Sequence, residues 1–267
     1  MTTVAHPSRT ERPVALVLAG HEARRLVTHP VTLVGWGLLV PMFMVSIFTI
    51  SSPVAAFDIV TTGPTFYPGL FCVLAAHMIT TRDHRAGADD LLGAVPATRQ
   101  QRVRALLLAA WAPALIALVL NVVTLRYLVW QDKFVEIPGL AHVLQAPVTV
   151  LGGCLLGIML GLWLPQRITP VLTMVALVAG SIVLTGNSHE WGLLGPLVSW
   201  ADWGPTDGTV WYALEPGHPG AHVYLLGLCG LAAVAASLRV ASRYLLVIAV
   251  GVVFLALTLW GGVSQLP

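Results

Sequence analysis

"ALLLAAWAPALIALVLNVVTLRYLV", residues 105–129, holds a single charged side chain, Arg126, in its whole length. A helix needs roughly 20 apolar residues to cross the hydrocarbon core of a bilayer, and within it every backbone N–H and C=O must find its partner inside the segment. This run meets both demands, and Arg126 sits near its end, where a long side chain can reach outward to the headgroups. Six more segments of the same kind flank it, at about 31–51, 66–81, 142–164, 168–186, 220–238 and 244–262. The whole chain agrees: 267 residues, 57% hydrophobic, 10% charged, with a mean hydropathy of +0.82, more apolar side chain than one soluble core of this size can hide. No repeat at solenoid period, low-complexity tract or interdomain linker interrupts it. The sequence therefore predicts an all-α, polytopic membrane helix bundle of about six to seven transmembrane helices, forming one domain over residues 1–267.

The charges give this bundle an orientation. With the N-terminus in the cytoplasm, Arg9, Arg12, Arg24, Arg25, Arg82, Arg85, Arg99, Arg102, Arg104, Arg167, Arg239 and Arg243 all fall inside, and only Arg126 and Lys133 fall outside. Cytoplasmic loops retain positive charge, so a multi-pass cell-membrane protein with a cytoplasmic N-terminus is expected. The formal net charge is only +2, too small to point to nucleic acid. Cys72, Cys154 and Cys229 lie within apolar runs, where a thiol is a small hydrophobe, and they spell neither a disulfide framework nor a metal site. The first thirty residues lack a short apolar core with a small-residue cleavage motif, so no cleavable signal peptide is expected and the mature chain is read as starting near Met1.

Two segments outside the spans have their own character. Residues 13–29 interleave Val14, Val17, Leu18 and Leu26 with His21, Glu22, Arg24 and Arg25, the pattern of a helix lying along the inner membrane surface and stopped at Pro30. Residues 187–219 carry Trp191, Trp200, Trp203 and Trp211 in a Pro-broken run too short to cross, which predicts an outer interfacial or re-entrant element. His189, Glu190, Asp202, Asp207, Glu215, His218 and His222 nearby have no recognised ligand spacing, so no metal is expected. In the fourth span Gly153, Gly157 and Gly161 recur at four-residue intervals, a flat ridge suited to close helix packing, either within the chain or against a second subunit.

The long polar stretch "TRDHRAGADDLLGAVPATRQQRVRA", residues 81–105, stands directly before the opening run. Asp89 and Asp90 lie near the start of a short helix predicted over Ala86 to Val95, with Ala88, Leu91, Leu92 and Val95 on one side and Pro96 at its end. Thr98 with Gln101 three residues on has the capping-box pattern, so a new helix begins there and runs into the third span. An arginine-rich cytoplasmic loop would suffice for topology alone. A compact amphipathic helix followed by Pro and a fresh cap is more specific.

At this point the chain resembles the permease subunits of type-2 ATP-binding-cassette exporters. Their layout is an N-terminal elbow helix, a first hairpin, and a cytoplasmic loop of the form R-x-x-G-x-x-(D/E)-L-L-x-x-x-P-x-(S/T)-R. Here that loop reads "RAGADDLLGAVPATR", Arg85 to Arg99, with one residue fewer before the glycine. The resemblance covers most of the chain in layout and about fifteen residues in motif. It implies that residues 13–29 are the elbow and residues 82–104 the coupling loop. Within that loop Arg85, Asp89, Asp90, Leu91, Leu92, Val95, Pro96 and Arg99 would meet a separate nucleotide-binding ATPase. It implies also a second permease copy or a related permease, membrane lipids as surroundings, and ATP and Mg held by the partner alone. The family commonly has six spans, whereas the run from Arg243 to Trp260 supplies a seventh and puts the C-terminus outside.

The residues themselves are consistent with that division of labour. No G-x-x-x-x-G-K-[ST] loop occurs and the only lysine is Lys133, so hydrolysis is expected on another chain and the protein is not read as an enzyme. No catalytic or cofactor-binding residues are expected on this chain. Ionisable groups are nearly absent from the span interiors, which disfavours an ion-driven carrier; His77 and His222 lie near span ends without an evident carboxylate partner. No G-x-S-x-G, H-E-x-x-H or C-x-x-C motif suggests an enzyme. The sequence thus predicts the permease of an exporter moving an amphipathic or hydrophobic substrate outward. Two alternatives stand beside it, a non-transporting membrane anchor that recruits a cytoplasmic partner through the same loop, and a secondary carrier.

Overall fold

The computed structural model describes residues 11–49, 63–87, 97–131, 140–186 and 219–264. Every regular element among them is helical: α1 (Glu11–Val27), α2 (Pro30–Thr49), α3 (Leu70–Arg85), α4 (Arg99–Ala109), α5 (Trp111–Trp130), α6 (Leu140–Trp163), α7 (Thr169–Gly186), α8 (Pro219–Leu238) and α9 (Tyr244–Val263). A single π-helical turn, Thr65–Gly69 with Pro68 inside it, leads into α3.

Several boundaries follow from local chemistry. Pro30 does more than stop α1: it is the first residue of α2, where a missing N–H costs nothing and a fixed φ favours the helix. The Nδ1 of His29 accepts from the Val31 N–H at 3.3 Å, satisfying one of the free donors of that first turn. Helices α1 and α2 meet at a 51° bend. Between α4 and α5 the break falls at Ala110, because Pro113 has no N–H for the Ala109 carbonyl and its ring crowds the preceding turn.

Helix α6 is the axis of the bundle. It packs against α3, α5 and α8 and touches α7, and 72% of its span window is buried against 17% for α9, which packs on α8 at the periphery. Its glycine ridge faces α3. A Cβ on Gly153 would meet the Gly69 carbonyl, one on Gly157 the Val73 carbonyl, and one on Gly161 the Thr80 side chain at 2.8 Å. The ridge is therefore covered by α3 of the same chain, with the π turn presenting Gly69 so that the two backbones approach. Cys72, Cys154 and Cys229, all buried and unpaired, join the core made by α3, α6 and α8. On the other side, Gly227 and Gly230 let α9 approach α8 at Thr258 and Phe254.

A proline in α6 explains the most buried polar side chain of α5. Pro147 removes the N–H that the Val143 carbonyl would accept, and the Asn121 Nδ2, fully buried, donates to that carbonyl at 3.0 Å. Asn121→Leu is accordingly expected to lower the stability of the folded bundle by about 1–2 kcal/mol, since a buried carbonyl loses its partner. Unfolding in a mild detergent series checks it, with Val119→Leu, on an exposed position of the same helix, leaving stability unchanged.

Three helices among the described residues are long and apolar enough to cross a membrane: Arg99–Trp130, Val143–Trp163 and Tyr244–Val263. The pair Val14–Val27 and Pro30–Val45 passes the same test together, giving a fourth if the bent pair is one span. The expected all-helical membrane bundle is thus met in its helical character, with three to four long apolar spans among the described residues where six to seven were expected. Helix α3 has only 16 residues and ends in Arg82, His84 and Arg85. The described apolar parts of α7 and α8, Thr169–Ala179 and Val223–Leu238, are also shorter than a crossing. Outward-facing surfaces are strongly apolar, as on α5 at Trp111, Leu115, Val119 and Val123 and on α9 at Leu245, Val252 and Leu259, where a soluble protein would place polar groups.

Candidate functional site

The polar stretch singled out by the sequence is held from both sides. Helix α3 reaches it through Arg82, Asp83 and Arg85, and α4 leaves it at Arg99. Asp89, Asp90, Leu91, Leu92, Val95 and Pro96 lie outside the described residues, as do Trp191, Trp200, Trp203 and Trp211. The limbs differ from expectation in one respect. Helix α3 runs to Arg85, Ala86 caps it, and Gly87 turns the chain with φ 63°, so the short helix expected from Ala86 onward cannot include these two residues. The left-handed backbone is glycine's to adopt, and the Gly87 N–H reaches the His84 carbonyl at 3.2 Å. Nothing lies within 4 Å of a Cβ built at Gly87, so Gly87→Ala is expected to cost only the backbone term, about 1 kcal/mol.

The outgoing limb is fixed by the cap anticipated from Thr98 and Gln101. The Thr98 Oγ1 accepts from the Gln101 N–H at 3.2 Å while the Gln101 Oε1 accepts from the Thr98 N–H at 2.8 Å. Both donors are satisfied reciprocally, so α4 starts at a defined residue and continues, through the bend at Ala110, into the long α5. Thr98→Ala should destabilise this start by about 1 kcal/mol, read as faster amide exchange over residues 99–104 with exchange in α6 unchanged.

The incoming limb is clamped to α1. The Glu22 carboxylate accepts two hydrogen bonds from the Arg82 guanidinium, at 2.8 and 3.0 Å, a bidentate pair that joins helices sixty positions apart. Arg25 approaches the same carboxylate at 3.5 Å, and Arg82 bonds Asp83 at 3.1 Å. Glu22 is buried over an apolar floor that includes Leu26, Ala76, Ile79 and Ile158. For Arg82, burial works against the charge, but the bonds to Glu22 and Asp83 outweigh it and hold its pKa above the ordinary arginine value. Sequence reasoning read Glu22 only as part of a polar helix face. Its one signal was an acid standing beside His21, Arg24 and Arg25, and nothing local could name Arg82 as its partner.

Helix α1 also packs along α4. It therefore touches both the helix that enters the polar stretch and the helix that leaves it. Arg85 points elsewhere: its Nη2 lies 3.5 Å from the Nδ1 of His77, whose Nε2 is 3.0 Å from the Leu164 carbonyl at the end of α6. With the proton on Nε2, His77 donates to that helix-end carbonyl and leaves Nδ1 to accept from Arg85. The buried histidine for which no carboxylate partner was evident is thus a brace between α3 and the α6 terminus. Among the described residues no group of three or more His, Cys, Asp or Glu could hold a metal ion.

In comparisons with known proteins, no family model, no curated protein and no solved structure matches this chain.

Proposed function

We propose that this chain is the transmembrane permease subunit of an ATP-driven exporter, moved by a separate ATPase that docks on residues 88–96. The observation that carries the reading is the placement of α1, clamped to α3 through Glu22 and Arg82 and packed along α4, so that both limbs of the docking stretch share one lever. A push on that stretch is delivered to α3 and, through the capped start of α4, to the 32-residue helix Arg99–Trp130. From α3 it passes to α6 across the close glycine seam. Such rigid connections are what a motor on another chain needs to move a bundle, because packed interfaces shift between arrangements as units and deform little.

In this reading α1 is the elbow helix on the inner membrane surface, the bundle has six to seven spans, and the ATPase supplies ATP and Mg. The permease works as a pair with itself or a related subunit, and the cargo is amphipathic or hydrophobic. Among the described residues Glu22 and His77 are the buried Asp, Glu, His, Lys or Arg side chains, and this scarcity supports a motor over an ion gradient as the energy source.

Reconstitution of the chain with a candidate nucleotide-binding ATPase subunit tests this. ATP-dependent substrate movement is expected, and Leu91→Arg with Leu92→Arg is expected to reduce ATPase association at least tenfold while the bundle elutes as before. Association without transport would identify a membrane anchor, and transport without any ATPase a secondary carrier; either defeats the proposal.

A further inference from the structure

Two cavities adjoin at the end of the bundle that carries Arg99 and Arg239. The first, of about 490 Å³, lies between the end of α3, the start of α4, the end of α6 and the end of α8, and is lined among others by Asp83, His84, Arg99, Arg102, Trp163 and Arg239. Three guanidiniums face one carboxylate there, and Asp83 already accepts from Arg82. Among the described residues no ion pair involves Arg99, Arg102 or Arg239. Arg99 and Arg102 stand in the first turn of α4, where the helix adds its own partial positive charge and no acidic residue offsets it. Among the described residues this excess of positive charge suits an anion.

The second cavity, of about 660 Å³, is lined almost wholly by apolar side chains of α6, α7, α8 and α9, such as Leu156, Met159, Leu228, Ala232 and Leu255. It runs along α8 from Leu225 to Leu238, about 20 Å of helix. The two cavities are lined by successive turns of the same helices, α6 and α8. Met159 lines the apolar one and Trp163, one turn on, the polar one; Ala235 lines the apolar one and Arg239, one turn on, the polar one. Trp163 stands at the junction, its Nε1 donating to the Ala235 carbonyl at 2.9 Å and its ring 5.5 Å from the Arg239 guanidinium. An indole fixed between wet and dry regions, under a guanidinium, is the arrangement of a lipid headgroup boundary.

From this adjacency we infer that the two cavities together form one binding site for an anionic amphiphile, with its phosphate-type headgroup among Arg99, Arg102 and Arg239 and its hydrocarbon chain along α6 and α8. The site does not depend on the exporter reading, since an anchor could hold the same lipid. Native mass spectrometry of the full chain in an uncharged detergent tests it with three probes: dipalmitoyl phosphatidylglycerol, dipalmitoyl phosphatidylcholine and inorganic phosphate. Phosphatidylglycerol is expected to bind at least tenfold more tightly than phosphatidylcholine and to resist displacement by millimolar phosphate. R102Q with R239Q should abolish that preference, and R102K with R239K should keep it. A232F, which fills the apolar cavity, should weaken phosphatidylglycerol several-fold, whereas R104Q, on an exposed side chain outside the cavity, should not. Equal binding of the two lipids, retention of the preference by the glutamine pair in a chain that elutes normally, or displacement by phosphate alone would each overturn the inference.

Discussion

Gly157→Val is expected to be among the most damaging single substitutions in this protein, lowering bundle stability by about 3 kcal/mol. The reason lies in what the new side chain meets. At Gly157 a Cβ collides with the Val73 carbonyl and comes within 2.9 Å of the Ala76 Cβ, and a carbonyl held in the helical backbone of α3 cannot turn aside. Helices α3 and α6 would have to separate, and the contacts of Cys72, Ala76, Cys154 and Ile158 would loosen with them. Within a membrane, helices are held mainly by such close packing and interhelical hydrogen bonds, so lost contact is not regained by apolar burial elsewhere. The series is graded. Gly153→Ala, against the Gly69 carbonyl, should approach the cost of Gly157→Ala, while Gly161→Ala, whose nearest obstacle is the Thr80 side chain at 2.8 Å, should cost about 1 kcal/mol. Gly20→Ala, with nothing within 4 Å, should be neutral or slightly stabilising through helix propensity. Equilibrium unfolding in mixed micelles measures the series, and equal effects at Gly20 and Gly157 would contradict the seam.

The second large effect concerns the clamp. Arg82→Ala leaves the Glu22 carboxylate, whose side chain is only 10% exposed, with Arg25 at 3.5 Å as its remaining partner, and should cost about 3 kcal/mol. Glu22→Ala should cost less, about 2 kcal/mol, because the Arg82 side chain keeps 37% of its exposure and its bond to Asp83. The double variant should be no worse than Arg82→Ala alone, so a double-mutant cycle gives a coupling near 2 kcal/mol. Additive losses would mean that the two groups act separately. In the exporter reading the functional loss exceeds the structural one: with α1 released from α3, the ATPase still associates through residues 88–96 but transport per ATP falls at least tenfold.

Local chemistry was legible in the sequence where a few adjacent residues determine it. Thr98 and Gln101 announced the start of α4, Pro30 the boundary between α1 and α2, and the run after Val103 the longest apolar helix. The spacing of Gly153, Gly157 and Gly161 announced a close helix neighbour but could not say that α3 fills it, because the decisive element is a π turn at Pro68 that presents the Gly69 backbone. Glu22 and Arg82 meet only when α1 folds against α3, and a separation of sixty positions leaves no periodic trace of that contact. The role of Asn121 was hidden for a related reason: it answers a carbonyl left free by a proline on another helix. The span count was read from apolar length alone, and length does not reveal that α3 begins at a π turn and ends in three basic residues.

The central claim is that residues 88–96 face the cytoplasm and receive a motor. Leu92→Cys examines it directly, since the native Cys72, Cys154 and Cys229 are all buried and give little background to a membrane-impermeant maleimide. Labelling is expected in inside-out vesicles and not in intact cells, with protection when the partner ATPase is bound. Labelling from the outer face, or labelling from the inner face that the ATPase leaves undiminished, would contradict the account.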